Sequence, residues 1–88
     1  MNRGAAFVVG GTGGLGGIIC RRLADEWDGV AIGYRSSADK ARAVIDTLRG
    51  GQDRAIAVHC DLSDMASIQS GFAEAKARFG AIGTVIFA

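Results

Sequence analysis

The chain has 88 residues, 49% of them hydrophobic, and its ten Lys and Arg residues against nine Asp and Glu give a formal net charge of +1. This length lies below the usual domain size of about 100 to 150 residues, so it allows one hydrophobic core and excludes a second domain. The near-neutral charge provides no broad field to attract nucleic acid or an anionic membrane, and any phosphate binding must therefore be local.

The cysteines and the N-terminal residues exclude several further classes of protein. Cys20 and Cys60 show neither CxxC nor Cys/His ligand spacing, so we expect no metal site and no disulfide, but two buried reduced thiols. The apolar stretch after Arg3 is too short for the core of a signal peptide or for a membrane span. A cytoplasmic location is the default expectation.

Strands and helices alternate from the start of the chain. Ala5 to Val9 is an unbroken apolar run, typical of a strand that is covered on both faces in a parallel sheet. Beyond a glycine-rich loop, apolar side chains recur at helical spacing. These side chains are Leu15, Ile18, Ile19, Leu23 and Trp27. A second strand is predicted over residues 30–32, and Ser36, with Asp39 three positions later, resembles the capping box of a second helix.

The second half of the chain repeats this alternation. Gly50 and Gly51 end the second helix, a third strand covers residues 55–58, and Ser63 is predicted to cap a third helix. The side chains expected to point inward from this helix are Met65, Ile68, Phe72, Ala75 and Phe79. Residues 84–88 form a predicted fourth strand with an apolar edge that is free to add another strand. This order predicts an α/β fold, a doubly wound parallel sheet truncated after about four strands, with ligands at the carboxyl ends of the strands.

The loop after the first strand contains six glycines within residues 10–17. Backbone without Cβ atoms can turn sharply and approach a ligand, and the helix that follows offers free N–H groups to a diphosphate. The spacing fits GxGxxG, GxxGxxG and GxxxGxG, and it does not choose among them. A nucleotide triphosphatase loop fits poorly, because Gly16 and Gly17 lead into Ile18 without the lysine and hydroxyl of GxxxxGK[ST]. A glycine-rich turn that only packs helix against strand is the alternative.

The residues after the second strand discriminate between cofactors. In a dinucleotide-binding fold an acid placed roughly 20 residues beyond the loop usually holds the adenine ribose diol. Here the sequence runs Tyr34, Arg35, Ser36, Ser37. Arginine cannot accept from ribose hydroxyls, but its fork of donors suits a 2′-phosphate, and either serine can add a hydrogen bond. The sequence therefore favours NADP(H) as the cofactor, with NAD(H) as the alternative. The alternative roles are a solvated surface cation for Arg35 and a helix cap alone for Ser36.

These residues together resemble the short-chain dehydrogenase/reductase family, and the resemblance continues to Ala88. The family's opening pattern TGGxxGxG aligns with residues 9–16, which selects the GxxxGxG frame. The run from His59 to Asp64 resembles the family's acidic adenine-contact segment. The resemblance implies a Rossmann-type fold in which residues 1–88 are the N-terminal part of a single dinucleotide-binding domain, similar to that of 3-oxoacyl-carrier-protein reductases.

The resemblance also implies a role for each site residue. The glycine loop would line the phosphates, Asp61 would accept from the adenine amino group, Leu62 would cover the ring, and Ala88 would lie beside a cofactor ribose. The implied cofactor-binding set is Gly10, Thr12, Gly13, Gly14, Leu15, Gly16, Arg35, Ser36, Asp61, Leu62 and Ala88.

Catalytic residues are not expected in this chain. Family reductases transfer hydride between NADPH and a ketone with a serine, the tyrosine of a YxxxK motif and its lysine, but Tyr34, the only tyrosine, is followed four positions later by Ala38. The only histidine, His59, lacks triad partners and is expected to pack or hydrogen-bond at a strand end. We therefore expect the NADP(H)-binding portion of an oxidoreductase, inactive alone. The alternatives are a non-catalytic dinucleotide-binding module and an inactive truncation that is held together by self-association as a homo-oligomer.

Overall fold

A computed structural model describes residues 3–88, in which strands and helices alternate from end to end. The strands are β1 (Ala5–Val9), β2 (Gly29–Tyr34), β3 (Ala55–His59) and β4 (Ile82–Phe87). The helices are α1 (Gly14–Ala24), α2 (Ala38–Asp46) and α3 (Met65–Phe79), and one turn of 3-10 helix, Gly51–Asp53, precedes β3. No helix in the described part of the chain is long and apolar enough to cross a membrane.

The four strands form one parallel sheet in the order β3-β2-β1-β4. One apolar cluster joins α1 and α2 to one face of the sheet, and a second cluster joins α3 to the opposite face. The predicted doubly wound α/β fold is thereby confirmed. Because the chain reverses its direction of travel across the sheet after β3, the strand order switches between β1 and β4, where open α/β sheets place their ligands.

The central strand β1 is buried on both faces, as its unbroken apolar run predicts. Ala6 and Val8 pack against the α1 and α2 side, whereas Phe7 and Val9 pack against the α3 side. Phe7 also stacks on Phe72 of α3 with 4.3 Å between the ring centroids. Alternating side chains of one strand thus support both layers of helices.

Two predicted helix caps are wrong by one residue. Ser37, not Ser36, caps α2, and its hydroxyl oxygen accepts from the Lys40 N–H at 3.3 Å. Asp64, not Ser63, caps α3. A capping residue needs extended backbone next to the first helical residue, and Ser37 and Asp64 have this conformation, with φ of −122° and −126°.

Three side chains that were predicted to point inward are exposed. Leu15, Ile18 and Met65 have relative exposures of 68%, 57% and 67%. Leu15 and Met65 lie in the first turn of their helices, at the carboxyl edge of the sheet, where a helix extends beyond the strand side chains. Trp27 lies beyond the end of α1, although it still packs, partly buried, against the α1 and α2 cluster.

Candidate functional site

A cleft of about 370 Å³ opens at the carboxyl edge of the sheet. Its walls come from the ends of β1 and β4 and from the segments that follow β2 and β3. The lining residues are Val9, Gly10, Arg35, Cys60, Asp61, Leu62, Ser63, Phe87 and Ala88. The cleft thus lies at the switch point of the sheet.

Five of the predicted site residues line this one cleft, although they are distant in sequence: Gly10, Arg35, Asp61, Leu62 and Ala88. The other glycine-loop residues continue from Gly10 into the first turn of α1. Those residues are Thr12, Gly13, Gly14, Leu15 and Gly16. Ser36 is exposed and is not among the lining residues.

Two glycines of the loop are required by the fold itself. Gly10 has a φ of +81°, and a Cβ atom there would lie 3.0 Å from the carbonyl oxygen of Ala88. A Cβ atom on Gly16 would lie 2.7 Å from the Cα of Gly11, so the start of α1 can approach the loop only without a side chain. Packing therefore explains the first and last glycines of the GxxxGxG frame.

Gly13 and Gly14 have no such internal reason, because nothing lies within 4 Å of a Cβ atom built on either residue. Gly13 occupies the N-cap position of α1, where no side-chain hydrogen bond caps the helix and no acidic residue stands in the first turn. The first N–H groups of a helix have no intrahelical acceptor, and the helix dipole adds a partial positive charge there. Open space and uncapped donors together fit a diphosphate group.

On the opposite wall Asp61 is held as an ionised acceptor. Its Oδ1 accepts hydrogen bonds from the backbone N–H of Ser63 at 2.9 Å and from the Ser63 hydroxyl at 2.7 Å. These two bonds, and to a smaller extent the electrostatic effects of Arg35 and His59, lower the pKa of Asp61 below its ordinary value of 3.8. The Ser67 hydroxyl accepts from the Asp61 N–H at 2.9 Å, which fixes the backbone of the same turn.

Arg35 is exposed and follows directly after β2. The last backbone bond of the ladder between β2 and β3 runs from the Cys60 N–H to the Tyr34 carbonyl at 2.9 Å. Beyond it, Nε2 of His59 lies 3.1 Å from the Arg35 carbonyl oxygen. Since that oxygen can only accept, the ring nitrogen donates. The predicted strand-end role of His59 is therefore a hydrogen bond.

Sequence reasoning did not assign four lining residues: Val9, Cys60, Ser63 and Phe87. All four adjoin an assigned residue in sequence, so their proximity to the predicted strand ends was the signal that could have found them. Cys60 is 3% exposed, and burial, aided by the Asp61 charge, raises the pKa of its thiol. Cys20 is also buried, and burial raises its thiol pKa to about 11. Both cysteines are free, as expected.

Comparison with known proteins relates this fold and cleft to one family. The family model described as short chain dehydrogenase matches residues 4–87. Short chain dehydrogenase claC of Passalora fulva is 33% identical over 84 residues, covering 94% of this chain and 32% of that protein. The 3-oxoacyl-[acyl-carrier-protein] reductase FabG of Staphylococcus aureus is 27% identical over 82 residues, covering 93% of this chain and 33% of the reductase.

A solved structure agrees in sequence and in shape. A dehydrogenase from Burkholderia cenocepacia with bound NADP superposes with a TM-score of 0.82 at 32% identity, covering 98% of this chain and 34% of that chain. This chain thus spans about a third of the length of these relatives. Because the family model matches nearly every residue and the fold agrees, the chain belongs to the short-chain dehydrogenase family.

Proposed function

We propose that this chain is the NADP(H)-binding portion of an oxidoreductase whose whole protein transfers hydride between NADPH and a ketone or alcohol. One observation carries the proposal: the uncapped start of α1, with open space at Gly13 and Gly14, adjoins a cleft that contains both a carboxylate and an arginine. The Burkholderia relative with bound NADP and the similarity to FabG support it. Residues 1–88 would then be the N-terminal part of a single dinucleotide-binding domain.

Each side of the cleft would bind one part of the dinucleotide. The N–H groups of the loop and first helical turn, from Thr12 to Gly16, would hold the diphosphate, while Gly10 lets the backbone approach it. Asp61 would accept from the adenine amino group, Leu62 would cover the adenine ring, and Ala88 would lie beside a ribose. The exposed Leu62 side chain, at 60% exposure, supports this assignment, since it has no packing role in the core.

The preference for NADP(H) over NAD(H) rests on Arg35 and Ser36. A guanidinium group supplies paired donors to the 2′-phosphate that only NADP(H) carries. The Ser37 hydroxyl already caps α2, so Ser36 is the serine left to contribute a donor here.

The chemistry itself lies outside these residues. When bound, the reduced nicotinamide supplies the hydride. Residues 1–88 would bind the cofactor and fix its orientation, and the serine, tyrosine and lysine of the family's reductases have no counterpart among them. The substrate of the whole protein and a cytoplasmic location stay predictions.

Calorimetric titration of the folded chain with NADPH and with NADH tests the proposal. We expect NADPH to bind more tightly than NADH. Arg35→Ala should weaken NADPH binding about tenfold, or ~1.4 kcal/mol, and should change NADH binding little. Arg22→Ala, which removes an exposed arginine of α1, is the matched control. A folded native chain that binds neither dinucleotide would overturn the proposal, and equal weakening of both by Arg35→Ala would overturn the 2′-phosphate assignment.

A second candidate function is self-association without catalytic turnover, and the apolar edge of β4 favours it. This strand pairs with β1 along one side only, contains no charged residue or proline, and leaves Val85 and Phe87 exposed by 37% and 67%. A free apolar strand edge readily adds another strand, and a second copy of β4 in antiparallel orientation would supply one.

A further inference from the structure

We infer that His59 determines the selectivity for a 2′-phosphorylated dinucleotide by holding the backbone from which Arg35 projects. This inference rests on the proposed cofactor site and adds a positioning residue to it. His59 does not line the cleft, so its contribution would pass through Arg35.

The argument begins with the end of the ladder between β2 and β3. The regular backbone bonds stop at Tyr34, whose carbonyl accepts from the Cys60 N–H. His59 pairs in register with Tyr34, and its ring donates to the next carbonyl along β2, that of Arg35. A side chain thus extends the ladder by one residue, at the position where the chain leaves the sheet.

The opposite end of this short connection is also fixed. Ser37 caps α2 through the Lys40 N–H, and α2 packs against the sheet through Ala41 and Ile45. Only Arg35 and Ser36 lie between the end of β2 and this cap. With His59 bound, the connection is held at both ends, and the start of the Arg35 side chain has a defined direction toward the cleft.

His59 is exposed, and its aromatic neighbour is Tyr34. The Tyr34 and His59 rings lie side by side, with centroids 5.8 Å apart at an angle of 51°. Asp61, whose pKa His59 helps to lower, is itself assigned to the cofactor. Without the His59 bond, the Arg35 carbonyl would turn to water and the guanidinium would sample more orientations, which costs affinity only where a 2′-phosphate is present.

The test compares His59→Ala with the donor-retaining His59→Gln for binding of NADPH and NADH by calorimetry. We expect His59→Ala to weaken NADPH binding about three- to tenfold, which is the usual effect of one hydrogen bond. The affinity for NADH should change less than about twofold. His59→Gln should recover most of the NADPH affinity. Gln69→Ala, at an exposed position of α3, is the control, and circular dichroism checks that each variant is folded.

A double-mutant cycle with Arg35→Ala separates positioning from direct contact. If His59 acts through Arg35, adding His59→Ala to Arg35→Ala leaves the NADPH affinity unchanged. Additive losses of NADPH affinity would show that His59 contacts the phosphate directly, and they would overturn the inference. Equal weakening of NADPH and NADH binding by His59→Ala would also overturn it. A native chain that binds neither dinucleotide would instead refute the proposed function, so the two failures are distinguishable.

Discussion

At the scale of single residues, the glycines of the loop differ in what an added methyl group would meet. At Gly16 it would meet backbone atoms of Gly10 and Gly11 at 2.7 to 2.8 Å, which cannot move aside without displacing the loop from α1. At Gly14 it would meet nothing within 4 Å. One glycine therefore serves folding, and the other keeps space free at a helix start.

Gly14→Ala and Gly16→Ala should accordingly separate binding from folding. Gly16→Ala is expected to lower the free energy of unfolding by about 1 to 3 kcal/mol, because the methyl group overpacks the loop. Gly14→Ala should leave the melting temperature unchanged or slightly higher, since alanine favours helix, while NADPH binding weakens about tenfold. Thermal unfolding and calorimetry measure the two effects. If the Gly14→Ala chain bound NADPH as tightly as the native chain, the space at Gly14 would not hold the diphosphate.

The hydrogen bonds to Asp61 predict a titration behaviour that NMR can follow. The folded pKa lies below the ordinary value of 3.8, so the ionised carboxylate favours the folded state above that pH, and this contribution is lost as the pH falls through the folded pKa. Ser63→Ala removes the hydroxyl donor and leaves the backbone donor. The pKa of Asp61 should therefore rise in this variant but stay below 3.8. Ser70→Ala, on the exposed surface of α3, should leave it unchanged.

At the scale of elements, the three helices of the described chain begin in different ways. Side chains of Ser37 and Asp64 cap α2 and α3, whereas Gly13, at the N-cap position of α1, has no side chain to cap that helix. The donors at the start of α1 are thus the ones left for a ligand. Ser63, which the sequence predicts as the cap of α3, instead holds Asp61 in the cleft.

Replacing the α3 cap tests this division of roles between neighbouring residues. Asp64 Oδ1 accepts from the N–H groups of Ala66 and Ser67 at 3.1 and 3.4 Å. Asp64→Ala should therefore destabilise the chain by about 1 kcal/mol. Asp64→Asn, which keeps an acceptor oxygen, should cost only a few tenths of this amount, and Ser63→Ala should not remove the cap. Chemical denaturation of the three variants measures these differences; a larger loss from Ser63→Ala than from Asp64→Ala would contradict the assignment of the cap.

At the scale of the whole molecule, the sheet order places β1 in the interior and leaves β3 and β4 at the edges. β4 alternates between half-buried and exposed side chains. Its exposed Val85 and Phe87 pair with residues of β1 that face α3, so they lie on the α3 side of the sheet. The relatives are about three times as long as this chain. Among the described residues, the outer edge of β4 has no strand beside it.

A charge on this strand should prevent self-association. We expect the mean mass of the native chain to rise with concentration in analytical ultracentrifugation, and Val85→Lys to give a monomer, because a lysine on an edge strand opposes strand addition. Gln69→Lys, which places the same charge on the exposed surface of α3, is the control. A native chain that stays monomeric at every concentration would rule out the second candidate function.

Much of the architecture could be predicted from local pattern. The buried run of β1, the amphipathic helices and the glycine-rich turn specify alternating strands and helices, and short right-handed crossovers between parallel strands leave few topologies. The Gly80 end of α3 was predictable too, since its φ of +85° favours glycine. Helix starts were harder, because adjacent polar pairs such as Ser36 and Ser37 offer two candidate caps and only the backbone conformation selects one.

The sequence by itself determined the fold class and the glycine loop between β1 and α1, because these depend on periodicity and spacing along the chain. Its resemblance to known sequences indicated the family. Tertiary structure decided which distant residues share the cleft, that Gly13 and Gly14 have empty space beside them, and that His59 bonds the Arg35 carbonyl. These facts depend on strand order and register, which bring together the ends of four strands. A linear pattern does not encode distances across the sheet.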